Sequence, residues 1–240
     1  FMQALAFLGG ADNEPPAVWL GGGGDARKIS SREIDDVLRL YPDDDLADVV
    51  LEARADRSHQ FLYIHLPDKT LVYDGEASAS MEQPVWFVLQ SGATPGGYRA
   101  RGMVWCYNRW NVADPFGTKI GYLTDDIGSH YGDLSVWEFT TPIVYNAGKG
   151  VQVHELELVA LTGDVSIDDD PIISSQYSND GERWSQPRYI RAGRKGELAK
   201  RLVWDRQGTF ANWRIQRFSG DSRAHIAFAR LEAELEMLAR

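Results

Sequence analysis

Short runs of aromatic and β-branched residues, broken about every ten residues by glycine, proline, asparagine or aspartate, fill most of this chain. Phe61–Leu66 and Thr70–Asp74 flank Pro67-Asp68-Lys69 and predict a hairpin. Val85–Gln90, Tyr98–Asn108, Arg109–Asp114 and Lys119–Thr124 continue the series, with turns at Gly92, Pro95-Gly96-Gly97 and Pro115-Phe116-Gly117. Val136–Tyr145 and Val151–Leu161 are split by Asn146-Ala147-Gly148. Ile172–Ser178, Arg188–Ala192, Lys200–Asp205, Asn212–Phe218 and His225–Leu235 complete it. The last run also fits a helix through Leu231, Leu235 and Leu238, and Leu46–Ala53 fits a short helix or a strand. Eight tryptophans, ten tyrosines and 23 glycines suit strands joined by tight turns.

Such a pattern means a sandwich, a barrel or a propeller. An internal echo favours the propeller. FLYIHLPDKTLVYDGEA and WCYNRWNVADPFGTKIGYL share one plan, an aromatic strand, then a strand ending in Asp, then a turn. Their spacing approaches a four-stranded blade of about 40–50 residues, which would give about five blades here. The expected fold is all-β, a propeller-like array of antiparallel four-stranded blades, possibly part of a larger propeller. One short helix is expected at 31–41. Ser30 and Glu33 form a capping box, Ile34, Val37, Leu38 and Tyr41 make one apolar stripe, and Pro42 with Asp43-Asp44-Asp45 stops it.

The 240 residues suffice for one β-rich domain over 1–240, with a sub-boundary expected near 162–171. Opening at Phe1 rather than Met, the chain reads as a fragment or processed product. Met2–Gly10 is apolar but lacks the charged start of a signal peptide. No apolar run is long enough to cross a membrane, so no membrane partner is expected. The single cysteine, Cys106, rules out an internal disulfide framework and reads as a small core side chain.

No catalytic constellation or cofactor site emerges. Gly21–Gly24 lacks the Lys-Ser/Thr and the helix of a phosphate loop and reads as a surface turn. His59, His65, His130, His154 and His225 show no metal-binding spacing, so no metal site is expected. Asp125-Asp126 and Asp168-Asp169-Asp170 lack calcium-loop alternation and read as solvated loops. The stretch QYSNDGERWS, with Ser178, Asp180, Gly181 and Trp184, resembles the Asp-box corner of sialidase-like propellers, shortened by one residue. Its chemistry is that of a structural turn. Asp180 bonds nearby amides, Gly181 takes a positive φ and Trp184 packs under the corner.

Charge is distributed unevenly. Arg183–Arg223 holds eleven lysines and arginines against three acidic residues, a surplus of eight positive charges. The whole chain is −10, so the remainder carries −18. Arg188, Arg191, Arg194, Lys195, Arg201, Arg214 and Arg217 are the candidate partner-binding residues, facing an acidic protein or packaged DNA. The bland alternative is that they form the wet face of a sheet or neutralise nearby acidic loops.

In order, RKISSREIDDVL, HQFLYIHLPDKTLVYD, YRARGMVWCYNRWNVADPFGTKIGYL, FTTPIVYNAGKGVQVHELEL, QYSNDGERWS and GELAKRLVWDRQGTFANWRIQRFS resemble the packaged-DNA stabilisation, or tail-hub, proteins of short-tailed phages. The resemblance spans Arg27 to Ser219. It implies the C-terminal half of a longer chain, a non-enzymatic virion protein in the phage tail, made in the host cytoplasm. It also implies a homo-oligomeric ring that closes the portal channel. The partners would be portal or head-completion proteins and tail needle or fibre proteins. The alternative is a sialidase-type propeller glycosidase or glycan-binding module.

Overall fold

The computed structural model describes residues 1–10, 14–93, 96–165, 170–222 and 226–238. Pro95, Asp168, Asp169, Arg223 and His225, singled out above, lie outside the described residues. The chain divides into two compact units, Phe1–Leu123 and Thr124–Arg240. The segment 162–171 falls within the second unit, and residues 166–169 of it are not described.

The first unit contains β1 (Leu5–Gly9), β2 (Ala17–Gly22), β3 (Asp25–Lys28), α1 (Arg32–Leu38), α2 (Asp43–Ala47), β4 (Val50–Asp56), β5 (His59–His65), β6 (Thr70–Asp74), α3 (Gly75–Met81), β7 (Val85–Leu89), β8 (Arg101–Cys106), β9 (Arg109–Ala113) and β10 (Ile120–Tyr122). They form three antiparallel sheets in the orders β1-β2-β3, β4-β5-β6-β7 and β10-β9-β8. Two-residue turns with both residues at positive φ close β4–β5 at Arg57-Ser58 and β8–β9 at Tyr107-Asn108. This is the hairpin geometry that matches strand twist. The middle sheet is covered on both faces, as alternation of side chains requires for a sheet inside a stack. Leu62, Ile64, Leu71 and Tyr73 join Val18, Leu20, Ile29, Ile34 and Leu38 in one core that ties it to the first sheet and α1. On its other side Tyr63 stacks on Tyr98, ring centroids 6.5 Å apart, and Trp110 Nε1 donates to Ala55 O.

Three helices occur among the described residues, where one was expected. The predicted 31–41 helix is shorter, Arg32–Leu38, and its N-cap is Ser31. Ser30 does not form the capping box, because its hydroxyl is engaged elsewhere. It donates to Asp35 Oδ1 at 2.6 Å and accepts from Val18 N at 3.1 Å. Glu33 is held below the usual carboxylate range chiefly by its hydrogen bond with Ser31. The aspartates 43–45 do not merely stop α1. Three acids in a first turn suit a helix N-terminus, and they open α2. In α3 the Asp74 carboxylate accepts from Glu76 N at 3.1 Å and Ala77 N at 3.0 Å, so a residue read as a strand end is also an N-cap.

The second unit contains β11 (Ser129–His130), β12 (Asp133–Thr140), β13 (Val144–Tyr145), β14 (Val151–Leu161), β15 (Ile172–Ser178), β16 (Arg188–Arg191), β17 (Val203–Phe210), β18 (Trp213–Ser222) and β19 (Ala227–Met237). One sheet runs β11-β12-β18-β15-β16, with β13 also on β18, and the other β17-β14-β19. The closing segment is therefore a strand, not a helix. Val151, Val153, Leu156, Leu158, Trp204 and Phe210 of one sheet pack on Ile173 and Phe218 of the other. This is a two-sheet sandwich. The extension of blades through all 240 residues is thus corrected for this half. Its strands pair across long sequence gaps, β12 and β15 with β18 and β14 with β19, rather than in successive local blades.

At Gly220 an added Cβ would lie 2.7 Å from the Trp137 ring and 3.0 Å from Ile172 O. Gly220→Ala is expected to lower unfolding free energy by about 1–3 kcal/mol, measured by urea denaturation, because the packed ring has to shift.

Candidate interaction surfaces

Residues 212–218 make the basic stretch legible. Alternation along β18 puts Arg214, Gln216 and Phe218 on the inner face and Arg217 on the outer one. Arg214 is 4% exposed, so it is not a surface contact. Its guanidinium donates to Gln207 O at 2.7 Å and Gln216 Oε1 at 3.2 Å, and lies 3.8 Å from the Tyr177 ring centroid. Burial pushes its pKa down to about 10. Arg217 donates to Gln176 Oε1 at 2.7 Å and lies over the Trp184 ring at 3.9 Å.

The other candidates lie on or beside β16 and just before β17. Arg191 and Arg194 both bond Asp170 Oδ2, at 2.5 and 3.3 Å, and hold that carboxyl below its ordinary range, Arg191 most. Arg201 is bonded to Glu157 and Glu155 and is pushed upward by them. Arg188 donates to the carbonyls of Asp205 at 2.5 Å and Arg206 at 3.4 Å. Lys195 is exposed. The seven residues therefore do not form one face. Arg214 is interior, Arg191, Arg194 and Arg201 bond carboxylates nearby, Arg217 lies on the outer face over Trp184, and Arg188 and Lys195 stand on the β16 side.

The Ser178–Trp184 corner joins β15 to β16. Ser178 Oγ accepts from Gly181 N at 2.9 Å, and Asp180 Oδ1 accepts from Glu182 N at 2.9 Å and Arg183 N at 2.8 Å. Gly181 has φ +81°. The Trp184 ring lies under the Arg217 guanidinium. The corner belongs to the sandwich unit, not to a blade. The amides of Arg183 and Glu182 lower the Asp180 pKa from 3.8. A depressed folded pKa contributes stability that is full above the unfolded value and lost as pH falls through the folded one. Asp180→Asn is therefore expected to lower the thermal midpoint at neutral pH, with the gap to the parent closing in acid, read by calorimetry across pH.

Three features escaped the sequence reading. On the outer face of the sandwich a hollow of about 480 Å³ is lined by Val136, Ile172, Ser174, Tyr189, Ser219 and Asp221. In the first unit, His65 Nε2 lies 2.8 Å from Glu52 Oε2 while Glu52 Oε1 accepts from Met103 N at 3.0 Å, so one carboxylate bridges the middle sheet and the β8 sheet. The two outer sheets of that unit leave apolar residues uncovered. Leu5 and Phe7 are exposed on β1, and Val104, Ile120 and Tyr122 on the last sheet. Pairing register places Val104 and Tyr122 on one face, both opposite Asn111.

Comparison with known proteins returns a propeller description for the first part of the chain and a sandwich description for the second. Residues 1–128 match the family described as Bacteriophage P22 Gp10, beta-propeller, and residues 136–236 match Bacteriophage P22 Gp10, beta-sandwich. The chain belongs to the phage P22 Gp10 family. A curated relative, the tail hub protein gp10 of Salmonella phage P22, is 29% identical over 220 residues, covering 92% of this chain. The chain spans 44% of that relative's length. The Gp10 propeller and sandwich descriptions meet close to the boundary at Leu123–Thr124. No described helix is long and apolar enough to cross a membrane.

Proposed function

We propose that this chain is a structural component of a phage tail hub, with no catalytic role, in which binding surfaces do all the work. The observation that carries the reading is the match to both Gp10 parts, propeller and sandwich, along with identity to a tail hub protein. In this reading copies form a ring beneath the portal or head-completion proteins, close the channel behind packaged DNA, and hold needle or fibre proteins. Stacked sheets suit the task, because close-packed interiors deform little under load.

The uncovered apolar rows at Leu5 and Phe7, and at Val104 and Tyr122, support a further part of the reading. They are the open faces of a blade stack, and further blades of a longer chain cover them, since propellers hold about four to eight blades. The chain is then the C-terminal half of that protein. The basic stretch serves protein contacts, with Arg214 buried, Arg201 held by Glu157 and Glu155, and the single Asp170 carboxylate offsetting only part of the charge of Arg191 and Arg194. The glycosidase alternative rested on a propeller Asp-box, and that corner lies in the sandwich.

The test is genetic. Phage lacking the full gene should package DNA and then lose it, yielding particles without tail needles or fibres. Stable, filled and fully tailed particles would overturn the proposal. Steeply salt-dependent retention of duplex DNA by the purified protein would instead favour direct phosphate contact.

A further inference from the structure

The sandwich differs from one lateral side to the other. On one side Phe228 of β19 packs on Trp137 and Phe139 of β12, centroids 4.7 and 5.6 Å apart. On the other, β16 meets β17, where Trp204 Nε1 donates to Arg188 O at 3.0 Å. β19 is an edge strand of eleven residues, paired among the described residues with β14 alone.

Register puts Leu231, Ala233, Leu235 and Met237 in line with the buried row Leu158, Leu156, Val153 and Val151. Past Leu231 the row runs out from under the other sheet. Leu235 is 37% exposed and Met237 59%. A long apolar edge invites pairing unless its partners are restricted. Here the outer row supplies the restriction. Glu232 lies directly opposite Glu157, and Glu234 opposite Glu155. Like charges so placed cost stability, and two β19 edges brought together would repel.

The complement stands on the other side of the same unit. Arg188, Arg191, Arg194 and Lys195 are exposed there, beside Tyr189 and Leu198, themselves 68% and 70% exposed. Asp170 bonds both Arg191 and Arg194, so one carboxylate faces two guanidinium groups. We propose that the β19 side of one copy docks on the β16 side of a second copy of this chain, head to tail. A contact between two different surfaces, repeated, closes into a ring when the rotation allows. The proposal rests on the ring reading above and names its contacting sides. Like charges exclude the β19-to-β19 alternative, and opposed charges make the β19-to-β16 contact sensitive to salt.

The test uses the full chain in sedimentation and mass photometry, at low and raised salt. Glu234→Lys with Glu236→Lys, the next glutamate along the outer row and 3.1 Å from His154 Nε2, forms one variant, and Arg191→Glu, Arg194→Glu and Lys195→Glu the other. Each alone is expected to weaken self-association about tenfold or more. An equimolar mixture of the two should restore it, because each reversed side then meets an opposite charge. Glu234→Lys also replaces repulsion by attraction across from Glu155, so its thermal midpoint should not fall, which separates lost docking from unfolding. Undiminished assembly of either variant, or a mixture that stays dissociated, overturns the proposed contact while leaving a ring intact. Parent protein that is monomeric at every concentration overturns both the contact and the ring.

Discussion

Replacing Phe218 by alanine is expected to cost about 3–5 kcal/mol of unfolding free energy, measured by urea denaturation with tryptophan fluorescence. The ring is fully buried, 5.3 Å from both Phe139 and Trp204 between centroids, and so stands at the junction of the two sheets. Truncation removes its transfer free energy and leaves a cavity that the stiff, paired strands around it fill only in part. Phe218→Leu keeps much of the volume and should cost well under half as much. A loss below about 1 kcal/mol for the alanine variant would mean that this ring is not the centre of a sandwich core.

The second large effect is expected at Glu52. Glu52→Ala should cost about 2–3 kcal/mol, because it strips the partner from a fully buried His65 ring nitrogen and from Met103 N together. Burial raises the Glu52 pKa, but hydrogen bonds from His65 and Met103 outweigh it and leave the carboxyl below 4.5. A depressed folded pKa means that this stabilisation is present above the unfolded value and fades as pH falls through the folded one. The parent should therefore lose its advantage over Glu52→Ala in acid. Chemical denaturation at neutral and acid pH measures this. An unchanged difference would show that the carboxylate does not bridge the two sheets.

Most strands after the N-terminal sheet were legible because alternation and turn residues are local signals. Val151–Leu161 forms β14 over the same residues. The N-terminal sheet was not legible, since Gly21–Gly24 dilutes β2 and β3 until they read as a loop. Neither was the change from stacked sheets to sandwich. A strand such as β12 looks the same in either fold, and what decides is its pairing with β18, distant in sequence. The charge surplus was visible, but its meaning was not. In Asn212–Phe218, Arg214 shares its face with Phe218, and that spacing was the available sign that one arginine points inward. Asp170 and Glu157, which bond three other cations, come from segments far earlier in the chain. The long β19 edge was ambiguous for a different reason. Leu231, Leu235 and Leu238 fit a helical stripe, Leu231 and Leu235 also fit strand alternation, and pairing with β14 selects the strand.

Electron cryomicroscopy of phage tails carrying the full-length protein tests the account most directly. A closed ring beneath the head is expected, with neighbouring sandwich units touching side to side and virion proteins bound above and below. A protein missing from the tail, or present as isolated copies that touch neither each other nor a virion neighbour, would contradict it.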